Sequence, residues 1–159
     1  MTVKLKKSIE RFQKSLQEFG FDLTITEFSE STRTAQEAAN AIGCTVGQIA
    51  KSLIFKGKTS QKPILIVTSG TNRVNEKKVS EYIGEKLEKA DADFVLEQTG
   101  YTIGGVPPLG HNHPITTFVD EDLMQYEEIW AAAGTPNAVF KLTPKILLEI
   151  TKGQIINVK

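Results

Sequence analysis

The stretch KSLIFKGKTSQKPILIVTSG, residues 51–70, decides what kind of fold this chain can adopt. Its second half, KPILIVTSG, is a run of apolar and β-branched residues stopped by a glycine, with no polar alternation. Such a run reads as a fully buried strand, which needs cover on both faces. SLIF, residues 52–55, reads as an apolar strand just before it, with Lys51 at the junction with the preceding segment.

Outward from there, strands and helices interleave. Ile9, Phe12, Leu16 and Phe19 fall at helical spacing and Gly20 stops that helix. DLTITEF, residues 22–28, alternates like a strand. Thr34 and Glu37 have capping-box spacing ahead of an Ala-rich helix closed by Gly43, and Thr45 with Gln48 repeats it for a brief helix, VGQIA. A helix is predicted from about Val74 to Ile83 and a shorter one around residues 91–100. ITTFV, residues 115–119, reads as a strand and Asp120 begins a helical turn. AVFKL, a helix after Thr143 with Pro144 in its first turn, and QIINV complete the chain. The elements do not form clean βαβ units. They predict a mixed α/β (α+β) fold: a curved, barrel-like mixed sheet flanked by helices, in one domain spanning residues 1–159.

Composition narrows the function. Nineteen basic residues offset nineteen acidic ones, so the chain lacks the global positive field of an autonomous, non-specific nucleic-acid binder. Any such contact must come from a local patch. Lys51, Lys56, Lys58, Lys62, Arg73, Lys77 and Lys78 crowd the middle third, although scattered solvated lysines are the default reading. The single cysteine, Cys44, excludes an intramolecular disulfide and a thiolate metal cage, and reads as a small packed residue. The charged N-terminal segment is neither a signal peptide nor a membrane span, and no apolar run reaches membrane length. The expectation is a cytoplasmic protein without membrane contact.

GYTIGGVPPLGHNH, residues 100–113, is the most unusual stretch. Gly104 and Gly105 permit positive φ and a close approach to the main chain. Pro107 and Pro108 fix φ and remove two donors, and Pro107 holds Val106 extended. The result is a stiff loop whose main-chain groups must face turns, water or a ligand. A purely structural turn accounts for the composition equally well. The loop has no GxxxxGK[ST] and no GxGxxG opening a helix, which argues against nucleotide hydrolysis and dinucleotide redox chemistry. His111 and His113 would share one side of a strand, and Asp120, Glu121 and Asp122 lie near in sequence. Two imidazoles without a third ligand do not make a metal centre, so no metal or cofactor is assigned. Nor do the letters HNH denote a nuclease, which needs a ββα context and further ligands. Taken alone, Lys51 reads as a solvated lysine at a helix C-terminus. Thr34 and Thr45 read as caps. Phe12, Phe19, Phe28 and Trp130 read as core or pocket wall.

Together, TAQEAANAIG (34–43), VGQIAKSLIF (46–55), PILIVTSG (63–70), TGYTIGGVPPLGH (99–111) and AAAGTPNAVFKLTP (131–144) carry a resemblance. In order and spacing they are similar to the YbaK family, the prolyl-tRNA synthetase-associated editing domains that act on mischarged tRNA. The resemblance runs from about Thr34 to the C-terminus. Lys51 matches the family's lysine after a short helix, Gly104 to Pro108 its GxxxP loop, and the turn bearing Gly134 and Thr135 its late glycine turn. It implies a barrel-like mixed sheet and a pocket between these landmarks for the aminoacyl group at a tRNA 3′ end. The implied reaction is hydrolysis of the ester joining a wrong amino acid to the terminal ribose.

By this resemblance Lys51, Gly104 and Gly105 are the catalytic candidates. Val106, Pro107, Pro108, His111, Gly134 and Thr135 are the substrate-binding candidates. An activated ester needs positioning and a stabilised oxyanion. Loop main chain can hold the amino-acid and ribose ends, and Lys51 can meet the terminal phosphate or the developing charge. Water, or a hydroxyl or thiol of the substrate, then attacks. The implied partners are a misacylated tRNA and an aminoacyl-tRNA synthetase. Members resembling the cysteinyl-tRNA(Pro) deacylases carry Ser and Asp where this chain has Ala132 and Val139, so a less polar pocket is expected. The continuation GHNH resembles a separate branch with GGVPPxGH. The alternative is a non-catalytic module of the same fold that recognises an aminoacyl-tRNA end, an amino acid or a synthetase; a His-dependent metal hydrolase is the remote third reading.

Overall fold

In the computed structural model, which describes residues 3–159, the apolar run becomes β3 (Pro63–Ser69), and its two side-chain rows enter two different cores. Leu65 and Val67 pack with Phe12, Val95 and Leu147, which come from α1 (Val3–Glu18), α4 (Ala92–Thr99) and α5 (Pro144–Thr151). Ile64 and Ile66 pack with Val79 of α3 (Glu76–Ile83) and with Phe118 of β5 (Thr116–Asp120). Leu65, Ile66 and Val67 are all 0% exposed, as a strand covered on both faces requires. A third apolar cluster joins Ala35, Ala38 and Ala39 of α2 (Ala35–Ile42) to Ile49 and Trp130.

The sheet is mixed and eight-stranded. Its remaining strands are β1 (Ile25–Glu27), β2 (Ile49–Gly57), β4 (Leu87–Lys89), β6 (Ile129–Ala132), β7 (Ala138–Leu142) and β8 (Gln154–Ile156). The order is β1-β7-β6-β2-β3-β5-β8, with β4 attached to β2 off this path. β2 is the pivot. Along one edge it pairs antiparallel with β3 from Ala50 to Lys56. Its other edge is shared: β6 runs parallel to it at Ile49 and Ala50, and β4 runs antiparallel at Phe55 to Gly57. Between those two partners, residues 51–54 have no strand beside them on that edge.

Local signals hold most elements where they were read. Thr34 Oγ1 accepts from Glu37 N at 3.1 Å, while the Glu37 carboxylate accepts from the Thr34 hydroxyl at 3.0 Å. Gln48 Oε1 accepts from Thr45 N at 3.1 Å. Thr143 caps α5 with Pro144 in its first turn. The VGQIA helix shrinks to a 3₁₀ turn at Val46–Gln48, because β2 already begins at Ile49. Lys51 is therefore the third residue of a strand, not the end of a helix. Phe19 also departs from expectation: it follows the end of α1, leaves the buried stripe of Phe12 and Leu16, and is 45% exposed. β4 and β6 are additional strands that no residue pattern announced. No helix among the described residues is long and apolar enough to cross a membrane.

One buried carboxylate ties β3, β5 and the turn after β5 together. Asp120 is 0% exposed. Its Oδ2 accepts from Thr68 Oγ1, Ser69 N and Asn72 Nδ2 at 3.0, 3.0 and 2.8 Å, and its Oδ1 accepts from Asp122 N at 2.9 Å. Asp122 in turn pairs with Lys159 at 2.9 Å. These acids are thus engaged in structure, and among the described residues no three His, Cys, Asp or Glu side chains are grouped to hold a metal. Asp120→Asn keeps the volume but turns an amide donor onto other donors, so urea unfolding should show a loss of about 2 kcal/mol. The exposed neighbour serves as control: Glu121→Gln should leave stability within about 0.5 kcal/mol.

Candidate active site

The gap beside β2 opens into a cavity of about 420 Å³, within the roughly 300–1,000 Å³ span of small-ligand sites. Its wall is mainly apolar: Ala131, Ala132 and Val139 from the β6–β7 pair, Ala35 and Ala38 from α2, Val95 from α4. Trp130 lines it as well. Both sheet faces contribute because the cavity sits where the sheet is interrupted. Register places Lys51 beside Thr68 on one side and, following Ile49–Trp130 and Ala50–Ala131, in line with Ala132 on the other.

Lys51 lines this cavity partly buried, and no carboxylate among the described residues pairs with it. A cation held in an apolar wall without a partner is set up to meet an anion from outside the chain. The next residue, Ser52, also lines the cavity, and its enclosed Oγ has no hydrogen-bond partner. An unsatisfied buried hydroxyl costs about 1–3 kcal/mol, which a polar ligand group reaching it would offset. The only sequence trace of Ser52 was one polar letter inside an apolar strand. Arg33 is a second residue that the motifs did not single out, and it stands at the mouth of the same cavity.

The Gly/Pro loop closes the cavity from the other side. Gly104, at φ +91°, and Val106 line it together with exposed Ile103. Gly105 faces the opposite way. A Cβ built there would stand 2.8 Å from the Cα and carbonyl carbon of Thr135, so the loop backbone lies directly on the turn that carries Gly134 and Thr135. Gly134 has φ +107°, and a Cβ there would come within 2.8 Å of Ser8 O. Thr135 is 0% exposed and its hydroxyl donates to Asn137 Oδ1 at 3.0 Å. Gly105, Pro107, Pro108, Gly134 and Thr135 lie outside the cavity lining and form the layer that supports it.

His111 belongs to that supporting layer. Its Nε2–H donates to Pro107 O at 2.8 Å, fixing the loop from behind. It faces a wider groove of about 840 Å³ shared with Arg11, His113 and Lys152, rather than the cavity. Arg11 closes the far end of the loop, with its Nη2 donating to Gly110 O at 3.0 Å and Asn112 Oδ1 at 2.7 Å. Burial holds the His111 imidazole below its ordinary 6.5, the Arg11 charge adds to this, and the bond to Pro107 opposes it. Cys44 packs partly buried beside α2, and burial pushes its thiol up, the opposite of an activated nucleophile.

Among the described residues, no Asp, Glu, His or Cys lines the cavity. Its chemistry is what lysine and arginine cations, main-chain donors and acceptors, and hydroxyls can do: hold a polar substrate against an apolar wall and stabilise negative charge that develops there.

Two measurements check this geometry. Gly105→Ala drives a methyl group into the main chain of Thr135 and should destabilise the protein by about 2 kcal/mol in thermal unfolding. For His111, the depressed folded pKa means that the unfolded chain takes up its proton first as pH falls. The imidazole's contribution is therefore complete above 6.5 and is lost as pH drops through the lower folded value. Melting temperature should fall between neutral pH and pH 5 more in the wild type than in His111→Gln, which keeps an N–H donor and does not titrate.

Comparisons with known proteins identify the family. The family model for the aminoacyl-tRNA editing domain matches residues 29–150. YwhH of Bacillus subtilis is 38% identical over 131 residues, covering 82% of this chain and 83% of that protein. EbsC of Enterococcus faecalis, a proposed Cys-tRNA(Pro)/Cys-tRNA(Cys) deacylase, is 29% identical over 132 residues, covering 82% and 80%. A crystal structure of a proposed trans-editing enzyme for prolyl-tRNA synthetase superposes with TM-score 0.90 at 47% identity, over 96% of each chain. The matched segment holds β2, the Gly/Pro loop and the β6–β7 wall, and the chain belongs to the aminoacyl-tRNA editing domain family.

Proposed function

We propose that residues 1–159 form one editing domain that acts in trans, hydrolysing the ester between a wrongly attached amino acid and the terminal ribose of a tRNA. The observation that carries this reading is the unpaired Lys51 on the open edge of β2, inside an apolar cavity faced by Gly104 and Val106. The aminoacyl side chain packs against Ala131, Ala132 and Val139. Main-chain groups of the open β2 edge and of Gly104 orient the ester. Water, or a hydroxyl or thiol of the substrate, adds to the carbonyl carbon, and Lys51 stabilises the charge that gathers on its oxygen. The bond to the ribose oxygen then breaks and that oxygen takes a proton. The amino acid is released when water attacks; when the substrate's own group attacks, its cyclic lactone or thiolactone is released, which water then opens. Among the described residues no carboxylate, imidazole or thiol lines the cavity to act as base or nucleophile, so deprotonation of the attacking group falls to solvent or to the substrate itself.

Gly105, Pro107, Pro108, His111, Gly134 and Thr135 act in this scheme by keeping the loop and turn in register, one step removed from the substrate. The neutral net charge suits modest tRNA affinity, supplemented in the cytoplasm by a synthetase that delivers the mischarged product.

The deciding experiment is deacylation of a panel of mischarged tRNAs, beginning with alanyl- and cysteinyl-tRNA(Pro). The protein should release at least one amino acid, and Lys51→Ala should lower kcat/KM by about 100-fold, as for loss of an oxyanion-stabilising donor. Tight binding of the same tRNAs with no release from any of them would favour the non-catalytic module that a cavity without a base also permits.

A further inference from the structure

Arg33 has no role in the scheme above, yet its position is built with care. The residue before it, Thr32, is 7% exposed and is fastened to the late turn: its N–H and its hydroxyl both donate to Pro136 O, at 2.7 and 3.1 Å. Asn137 clasps the same segment, accepting from Phe28 N at 2.8 Å and donating from its side chain to Phe28 O at 2.8 Å. The residue after it, Thr34, is the N-cap of α2. Ser31 Oγ accepts from Arg33 N at 3.2 Å. The main chain of Arg33 is thus held on both sides. Its side chain is seated too: a Cβ on Gly104 would stand 2.5 Å from Arg33 Cγ and 3.1 Å from Cδ and Nε, so the aliphatic stem lies in the space that the glycine leaves open.

The guanidinium that this stem carries stays exposed at the cavity mouth and pairs with no carboxylate among the described residues. Lys89 of β4 lines the same cavity and is likewise exposed. Cations held unpaired at the entrance of an apolar cavity select a ligand whose outer end is anionic and whose inner end packs on the apolar wall. An aminoacyl ester at an RNA terminus has that polarity. Its ester end carries no negative charge, and the nearest anion is the phosphodiester of the terminal nucleotide.

We propose that Arg33 binds this phosphodiester, seated by Gly104, while Lys51 serves the ester deeper in the cavity; the assignment rests on the deacylase reading for the identity of the RNA. The fork of the guanidinium matches two phosphate oxygens, which a lysine at this position would meet only as a point charge.

The test uses two non-hydrolysable probes with the full-length protein: a short RNA ending in CCA that carries alanine through a 3′ amide, and 3′-alanylamido-adenosine, which has no phosphate. Arg33→Ala should weaken binding of the RNA probe about tenfold, and Arg33→Lys should recover part of that loss. Binding of the nucleoside probe should be the same in all three proteins, and log Kd for the RNA should depend less steeply on log salt in Arg33→Ala. On hydrolysable tRNA the variant should raise KM and leave kcat within about twofold. Equal weakening of both probes, no change in either, or a loss confined to kcat would each overturn the assignment. Hydrolysis is scored separately from binding: a wild type that cleaves nothing, yet binds the RNA probe through Arg33, would remove the deacylase reading and leave the phosphate site standing.

Discussion

A strand has two edges, and what happens to the second edge of β2 determines the rest of this molecule. One edge is satisfied along nearly its whole length by β3. The other is divided between β6 and β4, and the main-chain groups of residues 51–54 on that side face a cavity instead of a neighbouring strand. An unpaired edge inside a protein is normally a liability, because its donors and acceptors need partners. Here the gap places Lys51, an enclosed Ser52 hydroxyl and an apolar wall around one space. The Gly/Pro loop is stiff for the same reason. It faces an opening where no strand can support it, so it is braced from behind by the Gly134–Thr135 turn, by His111 and by Arg11.

The cavity's chemistry follows from its poverty of titratable groups. Hydrolysing an amide with no base or nucleophile from the cavity wall would be a severe demand, but an aminoacyl ester starts much higher in energy. Positioning and charge stabilisation are then the larger part of what a catalyst must supply. A wall of alanines and valines with Lys51 among them is a coherent device for an activated substrate and a poor one for an inert substrate.

The sequence made some of this legible and hid the rest, for identifiable reasons. β3 could be read because a strand buried on both faces leaves an unbroken apolar run, and α5 because Thr143 and Pro144 mark its start. β4 and β6 could not: LEK and IWAA are too short to show a period, and they are strands because neighbours offer them edges, β2 for β4 and both β7 and β2 for β6. Lys51 looked like a helix cap until its strand partners were known, and only the family resemblance drew it into a site. Ser52 and Arg33 are defined by what surrounds them: an enclosed oxygen without a partner, and a stem lying over a glycine more than seventy positions away. Neither property leaves a trace in a one-dimensional pattern. His111 shows the converse, a conspicuous letter next to the loop whose side chain supports that loop from outside the cavity.

The β6–β7 wall carries a consequence for descent. Ala131, Ala132 and Val139 project from a backbone whose course is set by pairing with β2 and with each other, so their side chains can change without moving the strands. In the proposed scheme, each added or deleted methyl group alters the room for an amino-acid side chain and leaves the cationic entrance untouched. On that scheme a lineage can drift from one wrongly attached amino acid to another by small steps in volume, while the proposed hold on the common end of every tRNA stays the same.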